Sequence, residues 1–141
     1  GAVLAAPPAG AEASTLPAQS ARTDGLIRLT VDFTNNAVNG SVYDRKFTDT
    51  AQALPTIVLV EGVIDATGAY AGKVEYDGEI DTNIGDFGGI FGGADAGGTG
   101  GVVALGEFDG VGDPLGYENE AEIGVFVLTK CGLPGAAPTC P

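Results

Sequence analysis

Residues 26–33 of the chain read LIRLTVDF, and this stretch decides the class of fold. Its apolar face carries every second side chain: Ile27, Leu29, Val31 and Phe33. The residues between them, Leu26, Arg28, Thr30 and Asp32, are mostly polar. A two-residue repeat is typical of a half-buried β-strand, because successive side chains of a strand point to opposite faces. The stretch therefore predicts a strand with one face toward a core.

The same repeat recurs along the chain between segments rich in Gly, Asn, Asp and Pro, which favour turns. It predicts strands over residues 25–33, 37–48, 56–64, 69–76, 84–91, 102–108 and 121–129, which gives seven or eight strands. Short turns between consecutive strands favour an up-and-down meander, and closure of that meander removes its exposed edges. We therefore expect an all-β fold, a single eight-stranded antiparallel β-barrel, with a β-sandwich as the alternative.

The predicted barrel domain covers residues 25–131 and follows an N-terminal arm, residues 1–24, that is rich in Pro and Ala. Glycines inside strands weaken pairing but permit the sharp bends of a tight barrel. Such glycines are Gly72, Gly88, Gly89, Gly106 and Gly124. Cys131 and Cys140 enclose a turn-forming segment, so we expect a disulfide-closed tail over residues 131–141 and an oxidising compartment.

The composition excludes several classes of function. The chain has 141 residues, no His, no Met and no Trp, and a net charge of −13. Without His it lacks the commonest general base and metal ligand, so we expect no enzyme, no cofactor and no structural metal. The acidic excess repels phosphate backbones, which argues against nucleic acid. It favours solubility and long-range attraction to a basic partner, with a solvated acidic surface suited to salty surroundings as the alternative interpretation. No apolar run reaches the ~20 residues of a membrane-spanning helix.

Three groups of side chains are candidate sites with a simpler structural interpretation. Weak calcium candidates are Asp77, Glu79, Asp81 and Asp86, whose spacing does not match an EF-hand and fits a solvated loop better. A second acidic loop has the same interpretation and contains Asp109, Asp113, Glu118, Glu120 and Glu122. Tyrosine can ligate haem iron, but core or rim positions are favoured for Tyr43, Tyr70, Tyr76 and Tyr117.

Residues 86–107 read DFGGIFGGADAGGTGGVVALGE. They are similar to the G-x-F-x-G-x-x-A-x-x-x-G-G signature in the β-barrel domains of transferrin-binding protein B and its relatives. The residues that carry the signature are Gly89, Phe91, Gly93, Ala96, Gly100 and Gly101. Residues 26–33, with Asn39-Gly40-Ser41 after them, resemble the opening of the same barrel, and residues 124–131 resemble its closing strand. A structural interpretation is that the glycines let a strand bend while Phe91 fills the barrel end.

The resemblance covers roughly residues 25–131 and implies an eight-stranded barrel, export, and binding of a host or nutrient partner at or near the outer membrane. We therefore expect a non-enzymatic binding protein, outside the cell, at its surface or in the periplasm, that contacts a protein partner through loops at one barrel end. One alternative is a structural subunit of an extracellular or surface assembly, a homo-oligomer joined through residues 1–24. Another is a lipocalin-like carrier of a small apolar ligand.

Overall fold

The computed structural model describes residues 2–4, 21–106 and 121–136. Within these ranges the chain is all-β except for one 3-10 turn, Ala94–Ala96. The strands are β1 (Ala2–Leu4), β2 (Ala21–Asp32), β3 (Ala37–Phe47), β4 (Ile57–Ile64), β5 (Ala69–Tyr76), β6 (Gly85–Gly92), β7 (Gly98–Leu105) and β8 (Ala121–Thr129).

Strands β2 to β8 form one antiparallel, barrel-like sheet that is nearly closed, in which each strand pairs with the next along the chain. The prediction of an all-β antiparallel meander is confirmed, and the single curled sheet differs from the alternative β-sandwich. The three-residue β1 pairs with β2 and also with β8, through Ala2 opposite Arg22 on one side and Ile123 on the other. The predicted count of eight strands stays a prediction.

Two strands differ from the expectation by more than one residue. β2 begins at Ala21 rather than at residue 25, and β7 covers Gly98–Leu105 rather than residues 102–108. The sequence predicts a loop or a single helical turn over residues 92–101; Ala94–Ala96 do form a 3-10 turn, but residues 98–101 belong to β7 because both neighbouring strands pair with them. Gly101, for example, lies opposite Gly89 of β6 and Phe126 of β8.

The barrel interior is filled by side chains, as expected for a barrel of this size. Four of them are almost completely buried: Val38, Ile57, Leu59 and Val74. Around them lie the larger side chains of the core cluster, which include Tyr70, Phe87, Leu105 and Phe126. The inward residues repeat at every second position of β5, which confirms the two-residue pattern there, whereas in β4 a bulge between Val60 and Val63 shifts the repeat by one residue.

Strand glycines also have a steric role, which the sequence alone does not indicate. A Cβ atom on Gly89 would lie 2.5 Å from the Tyr70 hydroxyl oxygen, and one on Gly101 would lie 2.6 Å from Cζ of Phe126. Aromatic rings of neighbouring strands therefore occupy the space that side chains would need at these positions. Besides permitting bends, glycine leaves room for the two rings inside the barrel.

The two ends of the barrel differ. At the turn end, residues 33–36, 65–68 and 93–97 connect strands, and at the loop end the longer residues 48–56 and 77–84 do so. Phe91 closes the turn end, with its ring 5.1 Å from that of Phe33 and 4.9 Å from that of Tyr70. Thr99 donates a hydrogen bond to the Ile90 carbonyl at 2.7 Å, so the Tyr70 hydroxyl, 2.7 Å away, donates to Thr99.

Candidate functional site

A buried polar cluster lies at the loop end, where β2, β3 and β8 approach one another. The Arg45 guanidinium of β3 forms an ion pair with the Glu122 carboxylate of β8. Arg45 also donates to the Pro55 carbonyl at 2.6 Å, and the Thr23 hydroxyl donates to Glu122 at 2.8 Å. Only 4% of the Arg45 side chain and 14% of the Glu122 side chain are exposed. The cluster therefore links the first and last strands of the seven-strand sheet from the inside.

The prediction that Glu122 belongs to a solvated acidic loop is wrong, because Glu122 lies in β8 and points to a buried arginine. Its partner is 77 residues away in the sequence, so no local pattern could reveal it. The other members of that predicted loop lie outside the described residues: Asp109, Asp113, Glu118 and Glu120.

A cavity of about 130 Å³ adjoins this cluster. Arg45, Glu122 and Thr23 line its polar side, whereas Ile57 and Phe126 belong to its apolar side. Ligand pockets usually enclose roughly 300–1,000 Å³, and one liquid water occupies about 30 Å³. The cavity therefore has room for a few water molecules or a very small ion beside the ion pair.

The acidic loop, residues 77–84, is held in one conformation by its own backbone. The amide of Glu79 donates to the Tyr76 carbonyl at 3.0 Å, and that of Thr82 donates to the Glu79 carbonyl at 3.2 Å. These two consecutive turns are anchored to the sheet through Ile84, whose amide donates to the Val74 carbonyl at 2.8 Å. The Asn83 side chain accepts from the amide of Gly85 at 2.9 Å, which fixes the return into β6.

The second of these turns presents an apolar side chain to solvent. Ile80 is 81% exposed, and the carboxylates of Asp77, Glu79 and Asp81 beside it are exposed as well. Lys73 of β5 lies in the same negative field, and its pKa is raised, first by its bond to Glu61 and to a smaller extent by Asp81. A preorganised apolar tip within an acidic surface suits contact with a partner that has a basic rim.

The four calcium candidates do not lie in one loop. Asp77, Glu79 and Asp81 belong to the acidic loop, whereas Asp86 is an exposed residue of β6. Among the residues that the structure describes, no group of three or more His, Cys, Asp or Glu side chains is arranged to hold a metal ion.

The residues of the family signature lie around the turn end. Gly89 and Phe91 belong to β6, and Gly100 and Gly101 to β7. Gly93, with φ +80°, and Ala96, with φ +52°, form the connection between these strands. The signature therefore covers a hairpin whose Phe91 packs against Phe33 and Tyr70.

Two of the four tyrosines, Tyr70 and Tyr76, are buried among core residues, and Tyr43 of β3 is half-buried. Burial raises the pKa of Tyr70. Cys131 is disulfide-bonded. Its predicted partner Cys140 and also Tyr117 lie outside the described residues, so the pairing of the two cysteines stays a prediction.

Within the described ranges the chain has no helix that is long and apolar enough to cross a membrane. No family model matches the chain, and no curated protein or solved structure was found to be similar to it. The resemblance to the barrel of transferrin-binding protein B therefore depends on the sequence motifs alone.

Proposed function

We propose that this chain is a non-enzymatic, exported binding protein that contacts a protein partner through the loop end of its barrel. The observation that carries the proposal is Ile80, an 81% exposed apolar side chain on a preorganised acidic loop. The proposed setting is the cell surface, the extracellular space or the periplasm, and the resemblance to transferrin-binding protein B barrels favours it. The bonded state of Cys131 agrees with an oxidising compartment.

Charge and shape together support the acidic loop as the binding surface. The net charge of −13 attracts a basic partner over distance, and Asp77, Glu79 and Asp81 concentrate negative charge around the apolar tip. Apolar residues at the centre of a polar rim are the usual source of affinity in protein interfaces. A partner with an apolar pocket and surrounding Lys or Arg side chains therefore fits the acidic loop.

The test compares capture by three proteins from culture medium and from outer-membrane extract. The bait is the wild-type chain, the variant Ile80→Ser or the control variant Ile90→Ser. Ile90 is 63% exposed and lies on β6, away from the acidic loop. A protein retained by wild type and by Ile90→Ser, lost with Ile80→Ser and released by added salt supports the proposal. Retention by all three baits, or by none, contradicts it.

We propose as a second candidate that β1 is the eighth strand of the closed barrel and that a neighbouring copy can supply it. All three of its residues pair with β8, Ala2 and Val3 also pair with β2, and residues 5–20 separate it from β2. A segment of that length can extend up to about 50 Å, which is enough to reach another molecule. Exchange of the arm would join copies into an assembly.

Light scattering at increasing protein concentration tests this exchange. Oligomers that are lost in the variant Val3→Pro, which removes a strand amide, support the second candidate. A monomer at every concentration rules it out.

The remaining alternative, a lipocalin-like carrier, has the least support. The interior is occupied by core side chains, and the cavity of about 130 Å³ is smaller than the usual ligand pocket. An apolar dye that fluoresces only in enclosed apolar sites should therefore stay dark in the presence of the native protein.

A further inference from the structure

Glycine follows aspartate or asparagine at four places in the chain. These pairs are Asp24-Gly25, Asn39-Gly40, Asp77-Gly78 and Asp109-Gly110, and the last of them lies outside the described residues. In such a pair the glycine amide nitrogen can attack the side-chain carbonyl carbon of the residue before it, because glycine has no Cβ to hinder the approach. The five-membered ring that forms requires the peptide between the two residues to rotate. The fold around each pair therefore decides which of them reacts.

Asp77-Gly78 forms the centre of an exposed turn. The Glu79 amide donates to the Tyr76 carbonyl at 3.0 Å, and Gly78 has φ +93° whereas Asp77 does not have a positive φ, which defines a type II turn. Both central residues are exposed, and a Cβ on Gly78 would meet no atom within 4 Å. Turns of types I and II share this bond and differ by rotation of the central peptide. The peptide can therefore rotate without disrupting the strands on either side.

Asn39-Gly40 is the most reactive pair by chemistry, because an amide is a better electrophile than a carboxylate, but β3 holds it in place. Gly40 lies opposite Leu29 of β2 and Leu59 of β4. A Cβ on Gly40 would lie 2.2 Å from the Arg28 carbonyl oxygen, so the neighbouring backbone leaves no room for rotation. Ring formation there requires local opening of the sheet.

Asp24-Gly25 is crowded as well. Asp24 lies opposite Lys46 of β3. A Cβ on Gly25 would lie 3.1 Å from Cγ of Arg45 and 3.3 Å from the Tyr43 carbonyl oxygen. Rotation of this peptide therefore displaces groups that are packed against the inside of the sheet.

We propose that Asp77 converts spontaneously to isoaspartate through a succinimide, and that this modification opens the acidic loop. In the first step the nitrogen of Gly78 forms a bond to Cγ of Asp77, and the hydroxyl of the protonated carboxyl leaves with the amide proton as water. In the second step water adds to one carbonyl of the ring and breaks its bond to the nitrogen. Cleavage at Cγ restores aspartate, whereas cleavage at the main-chain carbonyl gives isoaspartate. Water is the only reactant besides the chain.

Isoaspartate lengthens the backbone inside the turn. The main chain then passes through Cβ and Cγ of residue 77, which adds one atom between the Tyr76 carbonyl and the Glu79 amide. The hydrogen bond between these groups is lost because the turn no longer has the length that closes it. Ile80 directly follows the turn, so its position changes with it. Loss of partner capture by the isomerised chain rests on the proposed function, whereas the modification itself does not.

The test places two chemically identical pairs in one folded chain. The variant Asp77→Asn has an asparagine before Gly78, and the native Asn39-Gly40 pair in the same molecule is the matched control. Asparagine forms the same ring with loss of ammonia in place of water, and opening of the ring leaves an acid where an amide was. Mass spectrometry of peptides therefore follows both positions. The same chain unfolded in urea shows the two rates without the fold.

We expect position 77 of the folded variant to deamidate at least roughly tenfold faster than Asn39, because a strand paired on both sides must open before it reacts. In urea the two rates should agree within about twofold, since no structure remains to protect either pair. Equal rates in the folded chain, or a faster reaction at Asn39, would overturn the proposal. A difference that persists in urea would also contradict it, because the neighbouring residues and not the fold would then decide the rate.

The wild-type chain provides two measurements without a substitution. In water enriched in heavy oxygen each ring opening adds a heavy oxygen to the acid, and this label should accumulate at Asp77 sooner than at Asp24. The isomerised chain, separated by chromatography, should exchange its Glu79 amide hydrogen faster than the unmodified chain, and unchanged exchange would contradict an opened loop. If the unmodified chain captures no partner, the proposed function fails while these two results stand.

Discussion

The buried ion pair between Arg45 and Glu122 gives the sharpest prediction about stability. The variant Arg45→Met keeps an unbranched apolar stem but removes the guanidinium. The Glu122 carboxylate then stays in the barrel interior, where it still accepts a hydrogen bond from the Thr23 hydroxyl but has lost the positive charge of Arg45. Breaking a buried pair by removing one partner costs about 3–5 kcal/mol, because the remaining charge stays desolvated. With a urea dependence of about 2 kcal/mol per molar for a chain of this size, the unfolding midpoint should fall by roughly 1.5–2.5 M.

Equilibrium urea unfolding, followed by circular dichroism, measures that shift. The double variant Arg45→Met/Glu122→Leu should recover most of the loss, since replacing a whole buried pair by apolar residues is often close to neutral. Lys73→Met is the matched control, because Lys73 and its partner Glu61 are 52% and 62% exposed, and we expect its midpoint to equal that of wild type.

A midpoint shift below roughly 0.5 M for Arg45→Met would refute the reasoning, because the pair would then behave like an exposed one. A double variant that is less stable than either single variant would also contradict it, since the loss would then come from packing and not from an unpaired charge.

Three further predictions concern the glycines and the ionisable groups of the turns. Gly72→Ala should destabilise the fold by about 1–3 kcal/mol, because its methyl carbon would lie 2.5 Å from the Phe87 ring. The control is Gly100→Ala, whose methyl carbon would lie 3.6 Å from the nearest atom and should have little effect. Thermal unfolding of both variants measures the difference. The pKa of Asp65 is lowered, mainly by its bond to the Thr67 hydroxyl, so its contribution to stability is present above pH 3.8 and is lost as the pH falls through the folded pKa. Asp65→Asn should abolish that part of the acid dependence, measured as the urea midpoint against pH. The pKa of Tyr70 is raised, so its contribution to stability is present below pH 10.0 and is lost as the pH rises through the folded pKa. Spectrophotometric titration should show a late-ionising tyrosine that Tyr70→Phe removes.

The sequence predicts the acidic loop itself but not its exposed apolar residue. The run of Asp, Glu and Gly in residues 77–83 predicted a solvated loop, and the structure confirms exposed carboxylates there. The exposed Ile80 within it was not identified, because a single isoleucine between charges carries no periodic signal. Its exposure depends on two consecutive turns, and these are visible only as backbone hydrogen bonds.

The glycine-rich segment of residues 92–101 is the clearest error about local structure. Glycine has a low strand propensity, so the sequence predicts a loop or a single helical turn up to residue 101, whereas β7 begins at Gly98. Pairing on both sides outweighs this local preference, and the rings of Tyr70 and Phe126 occupy the space left by Gly89 and Gly101.

The sequence by itself determined that the chain forms antiparallel strands around an apolar interior. The two-residue repeat and the turn residues are local signals, and short connections restrict consecutive strands to pairing in order. The tertiary structure alone decided which distant residues meet. The bond between Arg45 and Glu122 arises from the curvature and register of the whole sheet. Curvature and register depend on how closely the first and last strands approach each other. Residues that are neighbours in the sequence do not determine this separation.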